Sequence, residues 1–320
     1  MHEPVRRAEI AKQIGQAART AGFWQIVDHP FPLDLLEDAF KVCKLLFGMS
    51  LEEKQNYTRD PQTNRGYDIL GGQALKGQIG GQNETSSEKD LKEGWMVGPG
   101  DFDKSHKYYQ RFGHGFNRLP VDERFSNANG PLVRQTLSKY YESILDLATE
   151  LMKLVALSLE LPETTFEKLC QTPAAAIRLL HYPPEKGTGA GAHTDFGLIT
   201  LLATSGTPGL ELFTGGEWVP IEPAPSSFVV NVGDMLSLYT GAEYKSSLHR
   251  VENKSGSERY SIPFFLDGNS DVLVSPVRGP GFGKLQPVTV EEHLRVKFDA
   301  SYDKSVRDQM QSIIGVAAAA

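Results

Sequence analysis

Apolar residues recur at helical spacing through the first half of the chain, and the longest such run predicts a helix over residues 131–161. Leucine, isoleucine and tyrosine side chains there follow the i, i+3, i+4 spacing with which a helix buries one face. Pro162 ends the run, because proline has no backbone N–H and its ring clashes with the preceding turn. Similar spacing predicts helices over residues 8 to about 21, 33–47 and 289–311.

Short apolar runs separated by turn residues replace the helical pattern over residues 174–275. The runs lie at residues 177–182, 198–203, 210–213, 218–221, 228–232, 236–239, 259–266 and 272–274. Gly215 and Gly216 lie between two of them, which indicates a hairpin. Several short strands of this kind are typical of a β-sandwich or jelly roll. We therefore predict an α+β fold with a jelly-roll (double-stranded β-helix) core and N-terminal and flanking helices.

The chain is predicted to be a single domain over residues 1–320, with a helical and loop-rich N-terminal part at residues 1–130. Residues 23–27 are aromatic and β-branched, which predicts a short strand. Residues 58–131 are rich in glycine and show weak periodicity, which predicts long loops. Two interpretations of these loops stay open: a lid that covers a substrate, or a decoration of the surface.

Composition and charge narrow the classes of function. With 40% hydrophobic and 23% charged residues, the chain has the balance of an ordinary globular protein. The net charge is -7 and no Lys/Arg run is present, so we predict no nucleic-acid partner. No apolar stretch reaches the roughly 18 residues of a membrane span, and the two cysteines match no metal or redox motif. We expect a cytoplasmic protein without a membrane partner; the sequence leaves the oligomeric state open.

Two histidines and one aspartate form the strongest chemical pattern. His193 and Asp195 are two residues apart, so in an extended chain both side chains point to the same side. His249 follows several predicted strands later, far enough for the chain to return beside its earlier part. Two imidazoles and one carboxylate on one face of an ion are the ligand set of the non-haem Fe(II) oxygenases.

A carboxylate receptor is predicted close to this triad. Arg259 and Ser261 also share one face of a strand, and a guanidinium with a neighbouring hydroxyl binds carboxylates well. The pair follows His249 closely in the sequence. A keto acid held there by its carboxylate would chelate the metal with its other end.

Several segments together resemble the iron- and 2-oxoglutarate-dependent dioxygenases of the isopenicillin N synthase-like family. They lie at residues 22–29, 64–67, 90–93, 181–184, 191–202, 216–220, 230–234, 245–251 and 259–265. The resemblance implies an enzyme that uses Fe(II), 2-oxoglutarate and O2 to oxidise a C–H bond of a small-molecule metabolite. Hydroxylation, desaturation and ring rearrangement all occur in such a family, and we expect a role in specialised metabolism.

The resemblance also implies roles for single residues. His193, Asp195 and His249 correspond to the iron ligands, and no catalytic residue beyond the metal centre is expected. Arg259 and Ser261 correspond to the pair that holds the distal carboxylate of 2-oxoglutarate.

Two departures from the family pattern lie near the cosubstrate residues and at the N-terminus. Tyr182 matches the family's tyrosine near the cosubstrate, but Leu180 stands where the family often has asparagine, so the polar contact usual there is not expected. The strand that commonly precedes the family's first helix is also not seen.

Substrate contacts are predicted at five further residues. Arg178 lies four residues before Tyr182 and so on the same strand face, where it serves either a substrate anion or a structural ion pair. Aromatic candidates to line the pocket are Tyr67, Trp95, Phe196 and Phe265. Such side chains suit a small, partly apolar metabolite.

Three other functions remain open at this point. An oxidase of the isopenicillin N synthase type would work without 2-oxoglutarate and use Arg259 and Ser261 to hold a substrate carboxylate. The same three ligands could hold zinc for a hydrolysis. A jelly roll can also serve as a non-catalytic binding module.

Overall fold

The structure is a computed structural model that describes residues 4–75, 78–79, 82–83, 89–100, 104–121, 125, 132–275, 277 and 288–301. The helices are α1 (Pro4–Thr20), α2 (Leu33–Phe47), α3 (Leu51–Gln55), α4 (Val133–Ser158), α5 (Glu167–Cys170), α6 (Asp234–Tyr239) and α7 (Val290–Ser301). The strands are β1 (Phe23–Ile26), β2 (Gly66–Asp68), β3 (Gln78–Ile79), β4 (Gln82–Asn83), β5 (Glu93–Val97), β6 (Ala174–Tyr182), β7 (Gly187–His193), β8 (Ile199–Thr204), β9 (Leu210–Thr214), β10 (Glu217–Pro220), β11 (Phe228–Val232), β12 (His249–Asn253) and β13 (Arg259–Gly268).

Two antiparallel sheets form the predicted jelly-roll core. The larger sheet has the strand order β1-β11-β8-β13-β6-β5-β2, and the smaller has the order β10-β9-β12-β7. Gly215 and Gly216 make the predicted hairpin between β9 and β10, where both have positive φ angles of 62° and 88°. A cavity between the two sheets is lined by side chains from both. The α+β prediction is confirmed.

Helix α4 covers the outer face of the larger sheet and so explains why the central strands are almost wholly apolar. Tyr140 and Tyr141 are buried, and the ring of Tyr141 packs edge-on against Phe264 of β13 with the ring centroids 5.8 Å apart. Helices α1 and α2 pack on α4 in turn. Since β13 is covered by α4 on one face and by the smaller sheet on the other, most of its residues are buried.

The described part of residues 58–131 contains strands where the sequence predicts long loops. It contributes β2 and β5 to one edge of the larger sheet, and every residue of both strands is buried. Glycine and polar residues in these strands hide the alternation that predicts a strand. The lid that we considered includes residues 101–103 and 126–131, which lie outside the described residues.

Two predicted strands have a different structure. Residues 236–239 form part of α6, because Gly233 starts a helical turn and an apolar run of four residues does not distinguish a helix from a strand. Residues 272–274 make only an isolated bridge, between Leu273 and Thr289. Within the described residues, no helix has both the length and the apolar character needed to cross a membrane.

Candidate metal centre and its two cavities

The three predicted metal ligands meet at the open end of the jelly roll. His193 is the last residue of β7 and His249 the first of β12, and the two face each other in antiparallel register. Asp195 follows in the turn after β7, with its Oδ1 3.7 Å from Nε2 of each histidine. One ligand atom from each residue lies within 4.8 Å of the others. The pairing of β7 with β12 thus brings together residues that are distant in sequence.

Backbone carbonyls orient both imidazoles. Nδ1 of His193 donates to the carbonyl of Gly191 at 2.7 Å, and Nδ1 of His249 donates to that of Ser247 at 3.1 Å. A carbonyl only accepts, so each ring carries its proton on Nδ1 and presents the lone pair of Nε2. Burial and the neighbouring His249 lower the pKa of His193 to about 3, so its ring is neutral. Neutral imidazoles with fixed orientation are metal ligands.

Asp195 keeps one oxygen available for a metal. Its Oδ2 accepts hydrogen bonds from Thr200 Oγ1 at 2.5 Å and from Asn231 Nδ2 at 2.8 Å. Burial alone would raise the pKa of Asp195, but the adjacent imidazoles and the hydrogen bonds from Thr200 and Asn231 outweigh that effect and hold the pKa below its usual value. The carboxylate is therefore ionised, with Oδ1 turned towards the histidines.

The donor set fits non-haem iron. Two imidazole nitrogens and one carboxylate oxygen converge from one side, and the cavity between the sheets opens on the other. Sequence reasoning missed Thr200 and Asn231, the partners of Asp195. The signal for Asn231 was a buried amide within the apolar strand β11, since such a group requires a hydrogen-bond partner.

The cavity between the sheets has an empty volume of about 580 Å³ and carries a buried cation on its wall. Arg259 is 1% exposed, and it donates to Ser261 Oγ and to the carbonyl of Thr207, each at 3.3 Å. Its guanidinium lies over the ring of Tyr182, 4.7 Å from the centroid. In the part of the chain that the structure describes, no carboxylate forms an ion pair with Arg259. A buried guanidinium that faces a cavity without a counterion is suited to bind an anionic ligand.

Apolar side chains line the cavity that contains both this cation and the metal triad. They include Leu180, Leu202, Leu210 and Val251, so Leu180 adds an apolar wall where the family often has an amide. His181 points to the other face of β6, as strand alternation predicts, with Nδ1 2.8 Å from Glu93.

A second cavity adjoins the first at the triad and has an empty volume of about 430 Å³. The two cavities share Leu75, Arg178, His193, Asp195 and Phe265. The remaining residues that line the second cavity are Gln73, Met96, Phe196, Asp267 and Phe298. The metal ligands therefore lie where two differently lined spaces meet.

Three of the predicted substrate residues line these cavities. Phe196 and Phe265 form walls of the second cavity. Arg178 lies at the junction, where NH2 donates to Asp68 Oδ2 at 3.0 Å and NH1 to Gln73 Oε1 at 2.8 Å. The structural ion pair that we considered for Arg178 is thus present.

The prediction that Tyr67 and Trp95 line the substrate pocket is corrected, because neither residue lines either of the two cavities. Tyr67 is 1% exposed and its hydroxyl donates to Glu93 at 2.5 Å, while the indole N–H of Trp95 donates to the carbonyl of Arg118. Their rings pack together with the centroids 5.3 Å apart. We had assigned both to loops, but they belong to β2 and β5 and face the core. Met96, the neighbour of Trp95, points to the second cavity instead.

Two family models match the chain. The model of the 2OG-Fe(II) oxygenase superfamily matches residues 173–268, which include the triad, Arg259 and Ser261. A model described as the N-terminal region of the non-haem dioxygenases in morphine synthesis matches residues 2–134. Together the two matches include both the jelly roll and the helical N-terminal part.

Relatives of similar length have related descriptions. The 2-oxoglutarate-Fe(II) type oxidoreductase hxnY of Emericella nidulans is 33% identical, over 93% of this chain and 86% of that protein. Clavatol oxidase claD of Penicillium crustosum is 34% identical, over 92% of this chain and 91% of that protein. Among solved structures, a full-length Neurospora crassa protein in complex with alpha-KG and thymine has a TM-score of 0.78 at 24% identity, covering 94% of this chain and 93% of that one. This last likeness concerns the fold.

Proposed function

This chain belongs to the 2-oxoglutarate- and Fe(II)-dependent oxygenase superfamily, and from that premise we propose that it oxidises a C–H bond of a small-molecule metabolite with iron held by His193, Asp195 and His249. It is an enzyme whose cofactors are Fe(II), 2-oxoglutarate and O2. The proposal for the ligands rests on the donor set and on the carbonyl contacts that leave both Nε2 atoms available.

The buried guanidinium of Arg259 is the observation that carries the choice of 2-oxoglutarate over a substrate carboxylate. It lines the same cavity as the three metal ligands, so a dicarboxylate can contact the guanidinium and the metal together. We assign the distal carboxylate to Arg259 and Ser261, with the Tyr182 ring against the guanidinium. Apolar walls exclude water there and strengthen the ion pair.

Bound iron supplies the activation of O2, with electrons from the decarboxylation of 2-oxoglutarate. The protein's own residues bind, orient and exclude water. Carbonyl hydrogen bonds fix the two imidazoles, and Thr200 and Asn231 fix the carboxylate of Asp195. No acid–base residue is needed for this role, since the metal centre does the difficult chemistry.

The substrate is assigned to the second cavity, with Phe196 and Phe265 as contacts and Arg178 at its entrance to the triad. An aromatic wall suits a small, partly apolar molecule. The name of clavatol oxidase, a relative at 34% identity, supports the oxidation of a small-molecule metabolite, and we propose a role in specialised metabolism. We place the reaction in the cytoplasm, and the product is a hydroxylated, desaturated or rearranged metabolite.

We also propose that residues 1–320 act as one catalytic domain. The N-terminal strand β1 pairs with β11 of the jelly roll, and β5 pairs with β6. Helix α1 packs on α4, which supports the same sheet. An N-terminal part that completes the sheet in this way is not expected to fold apart from it.

An anaerobic titration tests the metal and cosubstrate assignments together. Fe(II)-loaded protein is titrated with 2-oxoglutarate while the visible charge-transfer band of a chelated keto acid is recorded. We expect a saturable band in the wild type and in Arg7→Ala, whose arginine forms ion pairs on the outside of the molecule. In Arg259→Ala we expect saturation to need at least about tenfold more 2-oxoglutarate, the loss that one charge-assisted contact causes.

Two results would redirect the proposal. Bound iron without a band favours the oxidase of the isopenicillin N synthase type, in which Arg259 holds a substrate. Failure to bind iron in the wild type, or iron binding that survives in Asp195→Ala, contradicts the triad.

A further inference from the structure

Asp267 lines the second cavity and, within the described part of the chain, its carboxyl group has no hydrogen-bond partner. It lies near the end of β13, and it lines the cavity together with His193 and Asp195. Among the described residues, none donates a hydrogen bond to its carboxyl group. The group packs on Gly197, since a Cβ there would approach Asp267 Oδ1 to 2.1 Å. Backbone on one side thus directs the carboxyl group into the open space.

The two cations nearest the junction of the cavities already have carboxylate partners. Arg178 is paired with Asp68 at 3.0 Å, and Lys92 is paired with the buried carboxylate of Asp90. Asp267 has no such counterion in the described residues. Neither Arg178 nor Lys92 is therefore available to Asp267, and its carboxyl group is complementary to a ligand that brings a hydrogen-bond donor or a cation.

Arg65 is the cation that acts on Asp267 from a distance. Its guanidinium donates to backbone carbonyls, those of Asn64, Gly113 and Ala175, and not to the carboxyl group. Burial, and then the charge of Asp195, raise the pKa of Asp267 to about 8, while Arg65 opposes the rise. A buried carboxyl group without a hydrogen-bond partner is stabilised by any ligand that donates a hydrogen bond to it.

Aromatic rings enclose the rest of this space. Phe196 and Phe298 meet edge to face with the centroids 5.4 Å apart, and Phe265 completes the wall. Flat rings pack well between such faces. A positively charged or polarised N–H group is also attracted by the ring faces.

We propose that the substrate is a small flat-ring compound bearing an N–H donor, and that Asp267 accepts this hydrogen bond in the second cavity. The inference rests on the proposed function and names the substrate class for the same site. Arg178 does not select an anion, because Asp68 and Gln73 already engage its guanidinium. Asp267 thereby becomes the residue that determines substrate specificity and places the ring beside the triad.

Isothermal titration of three matched probes tests this inference. Benzylamine, benzyl alcohol and benzoate share a ring and differ in the group offered to Asp267. Each is titrated into anaerobic protein loaded with Fe(II) and 2-oxoglutarate. We expect benzylamine to bind most tightly and benzoate most weakly. In Asp267→Asn the affinity for benzylamine is expected to fall at least about tenfold, since a charge-assisted hydrogen bond is lost.

Asp271→Asn is the matched control, because that carboxylate follows the same strand but is exposed and paired with Lys107 at 2.7 Å. It is expected to leave all three affinities unchanged. Should Asp267→Asn be recovered unfolded, Asp267→Ser serves the same comparison. Benzoate binding as tightly as benzylamine, or unchanged benzylamine affinity in a folded Asp267 variant, overturns the inference. The charge-transfer band recorded in the same samples reports on the proposed function separately.

Discussion

At the scale of single residues, Asp195 offers a metal one oxygen because Thr200 and Asn231 engage the other. Partners of this kind fix the position of a ligand, and their loss typically weakens metal binding by about 10- to 100-fold. We expect Thr200→Val to reduce Fe(II) affinity within that range while the fold is kept. Competition against a chromophoric chelator measures the affinity.

Thr188→Val is the control for this substitution. Thr188 lies on β7, which also carries His193, but its hydroxyl donates to Glu252 on the outer side of the pair of strands. The affinity of the Thr188→Val variant for Fe(II) should equal that of the wild type. Equal affinities in Thr200→Val and Thr188→Val would show that the hydrogen bond to Asp195 does not position the metal ligand.

Asp267 also predicts a pH dependence of stability. Burial raises its pKa in the folded protein to about 8, whereas an aspartate in the unfolded chain titrates near about 4. The folded state therefore binds the proton more tightly, and this contribution to stability is complete below about pH 4 and is lost as the pH rises towards 8. Asp267→Asn does not titrate, so it should become more stable relative to the wild type between about pH 5 and 8. Urea unfolding of the metal-free proteins at about pH 5 and at about pH 8 measures the difference in unfolding free energy between Asp267→Asn and the wild type. A difference that is the same at the two pH values would contradict the raised pKa.

At the scale of elements, the start of α6 holds the turn that carries Asp195. The backbone N–H of Asp234 donates to the carbonyl of Asp195 at 2.7 Å, and that of Met235 donates to Gly197 at 3.0 Å. Gly233 makes this close approach possible, because a Cβ there would lie 2.2 Å from the carbonyl oxygen of Gly197. A helix that sequence reasoning took for a strand is thus part of the metal centre.

Gly233→Ala is expected to displace this turn. The φ angle of Gly233 is -96°, which any residue adopts, so the effect is a steric one. Overpacking of this kind costs about 1–3 kcal/mol of unfolding free energy, and the shift of Asp195 should lower Fe(II) affinity as well. Gly48→Ala, at the end of α2 and outside the lining of both cavities, provides a comparison that changes stability alone. Chemical denaturation measures the stability of both variants, and metal titration measures their Fe(II) affinity. Normal Fe(II) affinity in Gly233→Ala would show that this turn does not position Asp195.

Elements with bulky apolar side chains could be predicted from the sequence, and elements built from small residues could not. The run at 228–232 gave β11 directly, and the spacing of α4 was equally clear. Strand β7 consists mainly of glycine and alanine, so no apolar alternation marks it. Its register with β12 depends on contacts between residues distant in sequence. The metal ligands were predictable because their chemistry, rather than their secondary structure, identified them.

At the scale of the whole molecule, the two cavities differ in how far the sequence could predict them. The first takes its metal ligands and its carboxylate receptor from motifs on or beside β7, β12 and β13, which a resemblance to a family makes recognisable. The second combines Met96, Asp267 and Phe298 from β5, β13 and α7, which are separated by most of the chain. No local spacing links such residues. Tyr67 and Trp95 were predicted in their place because an aromatic residue in a glycine-rich stretch resembles a pocket wall.

Binding of the metal and of 2-oxoglutarate in the first cavity should stabilise the entire fold, since the residues that hold them come from both sheets. A ligand at about 100 times its Kd adds about 2.7 kcal/mol to the stability of the folded state, which for a chain of this size raises Tm on the order of 5 °C. We expect Mn(II), used in place of iron to avoid oxidation, and 2-oxoglutarate each to raise the Tm of the wild type. Arg259→Ala should keep the metal's increment and lose that of 2-oxoglutarate, and Arg7→Ala should keep both. Scanning calorimetry separates the two increments, and an undiminished 2-oxoglutarate increment in Arg259→Ala would mean that the cosubstrate is held elsewhere.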